Sequence, residues 1–335
     1  MMRKTWNKQL GKAKRAKEDE FYTRLEDIER ELRHYEHHFK DKTVLCNCDD
    51  PRVSNFFHYF SYKFEDLGLK RLITTCYKNQ ERDLFSQNAS ERAIWLEYTG
   101  DKNGNRVPDP EEIGIRYFKG DGDFRSDECI ELLKQADIVV TNPPFSLFRE
   151  YVTQLVGHGK KFLIIGPQNA IHYKEIFPLI VRNEIWLGYG FKRNCAHFYT
   201  FYEDNASDAD HREGMIRVPS ITWFTNLEIP KRNEEMVLYR KYVPEDYPKY
   251  TNFEAIDVGT TSDIPEDWDG MMGVPDTFLH QYNPEQFEIV GLGSGDLAKQ
   301  IGVRKNFRGR TDVALKIDGK DRCPYSRIII RRRQK

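Results

Sequence analysis

The sequence lacks long apolar runs. No stretch of the 335-residue chain approaches the ~18 consecutive apolar residues that a membrane-spanning helix needs. Residues 1–17 are basic and polar, without the apolar segment of a signal peptide. These absences predict a soluble, cytoplasmic protein without a membrane partner.

The sequence also has few cysteines, and their spacing is poor for a metal site. Of the six, only Cys46 and Cys48 are close together. Two interpretations remain for this Cys-x-Cys pair, a metal site or reduced thiols at a strand end, and the second is favoured because no other pair has zinc spacing. The histidines show no ligand spacing either. We therefore predict no metal site.

Net charge is nearly absent, at −1, which argues weakly against a nucleic-acid partner. The distribution of charge argues the other way. Residues 1–17 hold seven basic side chains and no acidic one, and residues 299–335 hold thirteen basic side chains against three acidic ones. Each end is therefore a candidate surface for a polyanion, with an ordinary solvated tail as the alternative.

Hydrophobic spacing predicts alternating strands and helices. The predicted strands cover 43–46, 72–76, 113–118, 138–141, 161–165, 185–187 and 221–224, and helical patterns begin near 25, 53, 129 and 145. Thr23 followed by Glu26 has the spacing of a helix capping box. Residues 77–112 are polar and indicate a loop or hairpin insertion. The alternation predicts an α/β fold with a largely parallel sheet and helices on both faces.

The segment Asn142-Pro143-Pro144-Phe145 directly follows an apolar strand. Proline lacks a backbone N–H and biases the preceding residue away from the helical region, so this segment predicts a stiff, extended lip. In an alternating β/α chain it would lie at the carboxyl edge of the sheet, where open α/β folds bind ligands.

Such a lip suits the alkylation of an amino group. A conjugated NH2 is a poor nucleophile, and two acceptors, the Asn142 side-chain oxygen and the Pro143 carbonyl, can each take one N–H and direct the lone pair at an electrophile. Phe145 would stack on the ring that carries the amine. The alternative is a strand-terminating turn in which Phe145 is a core aromatic.

Asn142 to Phe145 resemble the catalytic motif of amino-group methyltransferases that use S-adenosylmethionine. Longer stretches resemble the EcoRI-type adenine-specific DNA methyltransferases, and these are EDEFYT (18–23), CNCDDPRVSNFF (46–57), GDGDFRS (120–126), DIVVTNPPFSLFREY (137–151), YKEIFPLI (173–180), GVPDTFLHQYNPEQFE (273–288) and CPYSRIII (323–330). The similarity covers nearly the whole chain and is weakest over 81–112 and 190–220.

The resemblance implies a Rossmann-like, seven-stranded S-adenosylmethionine-dependent methyltransferase fold. It implies a catalytic domain over 1–189, with a basic arm at 1–17, and a region over 190–335 with the remaining strands and DNA target recognition. The implied activity is methyl transfer to N6 of adenine in double-stranded DNA, typical of restriction-modification or phage protection systems. The implied setting is a monomer in the cytoplasm of a bacterial or phage-infected cell.

The resemblance also implies where the methyl donor binds. The positions that match the family's cofactor-binding residues are Phe21, Tyr22, Thr23, Asn47, Asp49, Asp50, Asp123 and Phe124. Asn47, Asp49 and Asp50 would bind the methionine half, although residues 46–51 contain no glycine for close backbone approach. Asp123 would accept from the adenine amine, with Phe124 on the ring face. The composition of 120–123 fits a simple turn equally well.

A paired adenine cannot reach the lip, so the target base must rotate out of the duplex. We expect a second aromatic opposite Phe145 and choose Phe198, for which core packing is the alternative. The predicted DNA contacts are completed by Lys14 and Arg15, to phosphates, and by Arg304, Lys305, Arg308 and Arg310, each to a phosphate or to a guanine edge.

Two other classes of function remain at this point. One is an enzyme that methylates RNA guanine or protein glutamine through the same lip. The other is a non-catalytic DNA-binding protein or a nuclease. The intact lip argues against a non-catalytic protein, and the basic C-terminal region argues against the other methyltransferases.

Overall fold

The computed structural model describes residues 22–48, 54–77, 93–105, 108, 112–192, 195–199 and 215–333. The chain divides into two compact units. Unit one comprises residues 1–171 and 187–227, and unit two comprises residues 172–186 and 228–335. The predicted boundary at residue 190 between a catalytic domain and a recognition region stays a prediction.

Unit one is built on a large mixed sheet. The strands of this sheet and of a second, smaller one are β1 (Tyr22–Thr23), β2 (Thr43–Asn47), β3 (Arg71–Thr75), β4 (Ile94–Tyr98), β5 (Gly114–Tyr117), β6 (Ile138–Thr141), β7 (Lys161–Pro167), β8 (Trp186–Leu187), β9 (Cys195–Tyr199), β10 (Met215–Pro219) and β11 (Ile221–Thr225). Eight of them form one sheet in the order β5-β4-β3-β2-β6-β7-β11-β8, and β1-β9-β10 form a second sheet.

The large sheet confirms an α/β fold but differs from the prediction in two respects. The pairs β3-β2, β2-β6 and β6-β7 are parallel, whereas the pairs β5-β4, β4-β3 and β7-β11 are antiparallel. The sheet also has eight strands, one more than the seven implied by the resemblance. The polar stretch that predicted a loop or hairpin contains β4, which pairs with β5 and therefore extends the sheet by an antiparallel edge.

The helices of unit one are α1 (Leu25–Leu32), α2 (Asn55–Tyr62), α3 (Asp127–Gln135) and α4 (Phe148–Gly157). Ser54 and Ser126 cap α2 and α3 by accepting from the backbone N–H three residues on. The predicted capping box at Thr23 is wrong. Thr23 does not cap α1, because it is extended and pairs with β9. The residue before α1 is Arg24, whose side chain makes no capping hydrogen bond.

Unit two contains a four-stranded sheet and a separate hairpin. Its elements are α5 (Phe177–Val181), β12 (Ile256–Asp257), β13 (Met272–Pro275), β14 (Phe287–Leu292), α6 (Gly295–Gln300), β15 (Leu315–Ile317), β16 (Lys320–Arg322) and β17 (Arg327–Arg332). The sheet order is β12-β13-β17-β14, and β15 pairs with β16. None of the described helices has the length and apolar character that a bilayer crossing requires.

Candidate active site

The candidate site lies at the carboxyl ends of the parallel strands in unit one. The chain builds β3 on one side of β2 and later returns to place β6 on its other side. The direction in which successive strands are added to the sheet therefore reverses between β2 and β6. Open α/β sheets bind ligands at such a topological switch point. Asn47 ends β2, and Asn142 directly follows β6.

Asn47 ties this edge together. Its backbone carbonyl accepts a hydrogen bond from the Thr141 hydroxyl, and its side-chain Oδ1 accepts one from the Tyr151 hydroxyl on α4. Burial raises the pKa of Tyr151 well above its ordinary value, so the phenol stays a neutral donor. Asn47 thereby joins the end of β2 to the end of β6 and to α4.

The lip has the predicted place, between β6 and α4. Asn142 is 6% exposed and Phe145 is 8% exposed. Pro144 is extended, with φ −54° and ψ 124°, and its carbonyl accepts from the Leu147 N–H at 3.0 Å in a 3₁₀ turn. The segment is thus a stiff, buried connection whose conformation is set by the two prolines.

Phe198 lies against Phe145. Their ring centroids are 6.3 Å apart and their planes are inclined by 66°, an edge-to-face contact. Phe198 is fully buried and pairs in register with Thr23 of β1. The structure therefore brings together three predicted site residues from sequence positions 23, 145 and 198. In this arrangement the two rings touch each other edge to face and do not form parallel walls of a slot.

Thr23 carries a buried polar atom at this place. Its hydroxyl Oγ1 is buried and makes no hydrogen bond with any of the described residues, whereas its carbonyl accepts from Asn55 Nδ2 at 2.8 Å. Leaving such a hydroxyl buried without a partner costs about 1–3 kcal/mol. A ligand oxygen would remove that cost. Tyr22 precedes it in β1 and is 9% exposed.

The 120–126 loop packs on the end of β3 through a glycine. Gly122 has φ +75°, and a Cβ there would lie 2.5 Å from the Cys76 carbonyl oxygen. The Phe124 ring contacts the Tyr151 ring edge to face at 5.0 Å, and its carbonyl accepts from Gln154 at 3.0 Å. Phe124 therefore lies beside the tyrosine that binds Asn47.

Arg125 was not identified from the sequence. It donates to both carboxylate oxygens of Asp123, at 2.9 and 2.7 Å, and to Glu150 at 2.9 Å. Its guanidinium carbon also lies 5.4 Å from the centre of the Phe124 ring. Hydrogen bonding from Arg125 keeps the pKa of Asp123 below its ordinary value. Arg125 thus contacts both groups that the sequence assigned to an adenine ring.

The missing glycine after β2 has a structural answer. Cys48 has φ +79°, a left-handed conformation that glycine adopts without strain and other residues rarely do. The chain therefore makes its turn after β2 with a cysteine. No glycine marks this turn in the sequence, and a search for glycine spacing could not have found it.

The remaining predicted residues separate into two groups. Phe21, Asp49, Asp50, Lys14 and Arg15 lie outside the described residues. The four cations Arg304, Lys305, Arg308 and Arg310 lie in unit two, on the connection between α6 and β15, and all are exposed.

The part of the chain that the structure describes contains no group of three or more histidine, cysteine, aspartate or glutamate side chains that could hold a metal ion.

Comparison with known proteins identifies the family. The family model described as adenine-specific methyltransferase EcoRI matches residues 9–333. The Type II methyltransferase M.EcoRI of Escherichia coli is 47% identical over 341 residues, covering 100% of this chain and 99% of that protein. No solved structure matches the chain.

Two mycoplasma proteins are also similar over almost their whole length. The Type II methyltransferase M.MgeORF184P of Mycoplasma genitalium is 37% identical over 337 residues, covering 97% of this chain and 99% of that protein. The Type II methyltransferase M.MpnI of Mycoplasma pneumoniae is 36% identical over 335 residues, covering 97% of this chain and 98% of that protein. The chain therefore belongs to the EcoRI family of adenine-specific methyltransferases, whose chemistry implies a methyl donor of the S-adenosylmethionine type.

Proposed function

We propose that this adenine-specific DNA methyltransferase of the restriction-modification type transfers a methyl group from S-adenosylmethionine to N6 of an adenine rotated out of double-stranded DNA. The observation that carries the proposal is the place of the lip. Asn142 and Phe145 are buried directly after β6, beside the switch point of the sheet. The names of the relatives favour DNA over the alternatives of RNA guanine, protein glutamine and a non-catalytic binding protein.

The described residues suit the donor. When bound, S-adenosylmethionine supplies an electrophilic methyl group. We assign its methionine half to Thr23, Tyr22 and Asn47, because Thr23 Oγ1 is buried without a partner among the described residues and Asn47 ends the strand beside the lip. Its adenine is assigned to Asp123 and Phe124. Phe21, Asp49 and Asp50 complete the proposed donor site by resemblance.

The lip acts on the target amine. The Asn142 side-chain oxygen and the Pro143 carbonyl each accept one N–H of the amine, so that the nitrogen lone pair points away from the ring and toward the methyl group. Pro144 holds both acceptors in place. No general base is needed before transfer, because the methylated nitrogen is acidic enough to lose its proton afterwards. Catalysis is by positioning and electrostatics.

The aromatic pair receives the base. In the structure Phe145 and Phe198 meet edge to face, so a purine between them requires one ring to turn. A base rotated out of the stack costs a few kcal/mol, and stacking on aromatic side chains offsets part of that cost. We assign Phe145 to the face of the target adenine and Phe198 to the opposite face.

The finer features of the fold and setting belong to the same proposal. The parallel centre β3-β2-β6-β7 supports a Rossmann-like, seven-stranded methyltransferase fold to which one short edge strand is added. Residues 190–335 would carry target recognition, with Arg304, Lys305, Arg308 and Arg310 as well as the basic arm around Lys14 and Arg15 on the DNA. We expect a monomer in the cytoplasm.

The test of the proposal is Asn142→Ala. We expect methyl transfer to be lost while donor and DNA binding persist, because Asn142 contacts only the target amine in this scheme. Asn105→Ala, at an exposed asparagine of the same unit, is the matched control. Binding of both ligands is followed by calorimetry, and transfer by detecting N6-methyladenine in the DNA. Transfer within tenfold of wild type would contradict the assignment.

A further inference from the structure

Unit two exposes an aromatic side chain in the middle of its basic loop. Phe307 is 51% exposed and lies between Lys305 and Arg308. Burial in water-free surroundings would stabilise such a ring, and exposure on an otherwise polar loop forfeits that gain. The Arg308 guanidinium carbon lies 5.1 Å from the centre of the ring. A cation and an aromatic ring are therefore presented together to the solvent.

The loop is held rigid by two buried asparagines. Asn306 Oδ1 accepts from the backbone N–H of Arg308 and Arg310 at 2.8 and 3.2 Å, and the Asn306 N–H donates to the Arg310 carbonyl at 2.8 Å. Gly309 closes the turn with φ +71°. Asn252 Nδ2 donates to the Arg304 carbonyl at 2.7 Å. The position of Phe307 is thus fixed by the backbone rather than by packing of its own ring.

The basic side chains around Phe307 outnumber the acidic ones. Arg304, Lys305, Arg308 and Arg310 form no ion pair with any described carboxylate, although the stretch 215–333 is described without a gap. Residues 304–322 hold seven basic side chains against three acidic ones. A surface of this kind is complementary to a polyanion.

A second exposed aromatic of unit two shows the contrast. Tyr239 is 62% exposed, and the Arg240 guanidinium carbon lies 5.6 Å from its ring. There the neighbouring cations are occupied, because Arg240 pairs with Asp263 at 3.4 Å and Lys241 with Glu266 at 2.5 Å. An exposed aromatic ring beside an arginine thus lies among ion-paired cations at Tyr239, whereas the cations beside Phe307 form no ion pair with a described carboxylate.

We infer that Phe307 contacts the bases of duplex DNA while the cations beside it bind the phosphates. The inference rests on the proposed function and names the part of unit two that reads sequence. Phosphate contacts position a protein but carry no sequence information, whereas apolar side chains discriminate through base contacts such as the thymine methyl group. The rigid loop presents one apolar group among four cations, so the two tasks fall to different residues.

The experiment measures discrimination and salt dependence separately. The methylated site is first read from the DNA of a host that expresses the protein. Competition binding then compares a duplex with that site and a duplex with one substituted base pair, for wild type, Phe307→Ala, Phe307→Tyr and the control Tyr239→Ala. A salt series is recorded for each protein and for Lys305→Ala.

We expect Phe307→Ala to reduce the ratio of the two affinities by about tenfold or more, with an unchanged salt slope, and Phe307→Tyr to retain most of the ratio. Lys305→Ala should flatten the slope of log K against log salt by about 0.9 without changing the ratio. Tyr239→Ala should change neither quantity.

A ratio within twofold of wild type in Phe307→Ala overturns the inference, and so does an equal loss in Tyr239→Ala. Failure of the proposed function would give a different result, because the wild-type protein would then leave the DNA of the expressing host unmethylated. Phe307 is 51% exposed and packs into no core, so we expect all four substituted proteins to fold, and their thermal unfolding is compared with wild type as the check.

Discussion

Arg125 binds Asp123 through both carboxylate oxygens, at 2.9 and 2.7 Å. The same guanidinium faces the Phe124 ring. In the proposed scheme, a donor whose adenine hydrogen-bonds Asp123 and packs on Phe124 therefore competes with Arg125 for both groups. The Arg125 side chain is 50% exposed and that of Asp123 21% exposed, so solvent partly screens the ion pair and lowers the cost of displacement.

This competition predicts opposite effects of two neighbouring substitutions. Asp123→Ala should weaken S-adenosylmethionine binding by roughly tenfold or more, the worth of a hydrogen bond to a charged group. Arg125→Ala should bind the donor at least as tightly as wild type, because a competitor is removed. Arg116→Ala is the matched control, since Arg116 is also exposed and lies over an aromatic ring. Calorimetric titration measures all three, and donor binding weakened more than threefold in Arg125→Ala would show that Arg125 belongs to the donor site itself.

Tyr151→Phe tests the link between α4 and the end of β2. The change removes the donor to Asn47 Oδ1 and leaves a buried acceptor, at a cost of about 1–3 kcal/mol in the free energy of unfolding. Donor binding should weaken in parallel, because Asn47 loses its fixed orientation. Tyr62→Phe, at a tyrosine that is 58% exposed, should change neither quantity. Equal stability of Tyr151→Phe and wild type in urea unfolding would contradict this account.

Gly122→Ala tests the packing of the 120–126 loop. Both Gly122 and Gly104 have positive φ, so alanine costs about 1–2 kcal/mol of backbone strain at either position. Only at Gly122 would the Cβ meet backbone, at 2.5 Å from Cys76 O, whereas nothing lies within 4 Å at Gly104. We expect Gly122→Ala to weaken donor binding by at least about tenfold, and Gly104→Ala to leave it unchanged. Similar affinities of the two variants would exclude a role of the loop in donor binding.

His280 predicts a pH dependence of stability. Burial, with a smaller effect of Lys231, lowers the pKa of His280 to about 4, against about 6.5 in an unfolded chain. Between these values the unfolded state binds a proton that the folded state does not. Stability is therefore complete above pH 6.5 and falls as the pH drops toward 4, by up to about 1.4 kcal/mol per pH unit from this group.

His280→Gln should remove that component. Urea unfolding at pH 5 and at pH 7.5 measures it as the difference between the two free energies of unfolding. His158→Gln, at an exposed histidine, should retain the wild-type difference. If His280→Gln and wild type lose the same stability on acidification, the histidine is protonated in the folded protein.

The parts of the site that the sequence revealed are those with local causes. Two prolines fix the backbone wherever they occur, so the lip could be placed between β6 and α4 from its own residues. Apolar runs likewise located β2, β3, β6 and β7. In contrast, the contact of Thr23 with β9 depends on a pairing across about 175 residues, for which neither segment carries a local signal, and Thr23 was consequently interpreted as a helix cap.

Arg125 and Cys48 show why the rest could not be predicted. An arginine after an aspartate in a polar loop is indistinguishable from a solvated charge until the aromatic ring beneath it is known. A left-handed turn is usually marked by glycine, and here a cysteine occupies that conformation. The antiparallel edge of the sheet could not be predicted either. β4, which pairs with β5, lies in a polar segment that fits a loop as well as a hairpin.

The pairing of Thr23 with Phe198 has a thermodynamic consequence. In the proposed scheme one of these residues binds the methyl donor and the other binds the target base, and they are direct register partners in one sheet. If either ligand shifts this strand pair, the shift changes the affinity of the other site for its own ligand. Linkage makes such an effect reciprocal, so the factor by which the donor alters affinity for DNA must equal the factor by which DNA alters affinity for the donor.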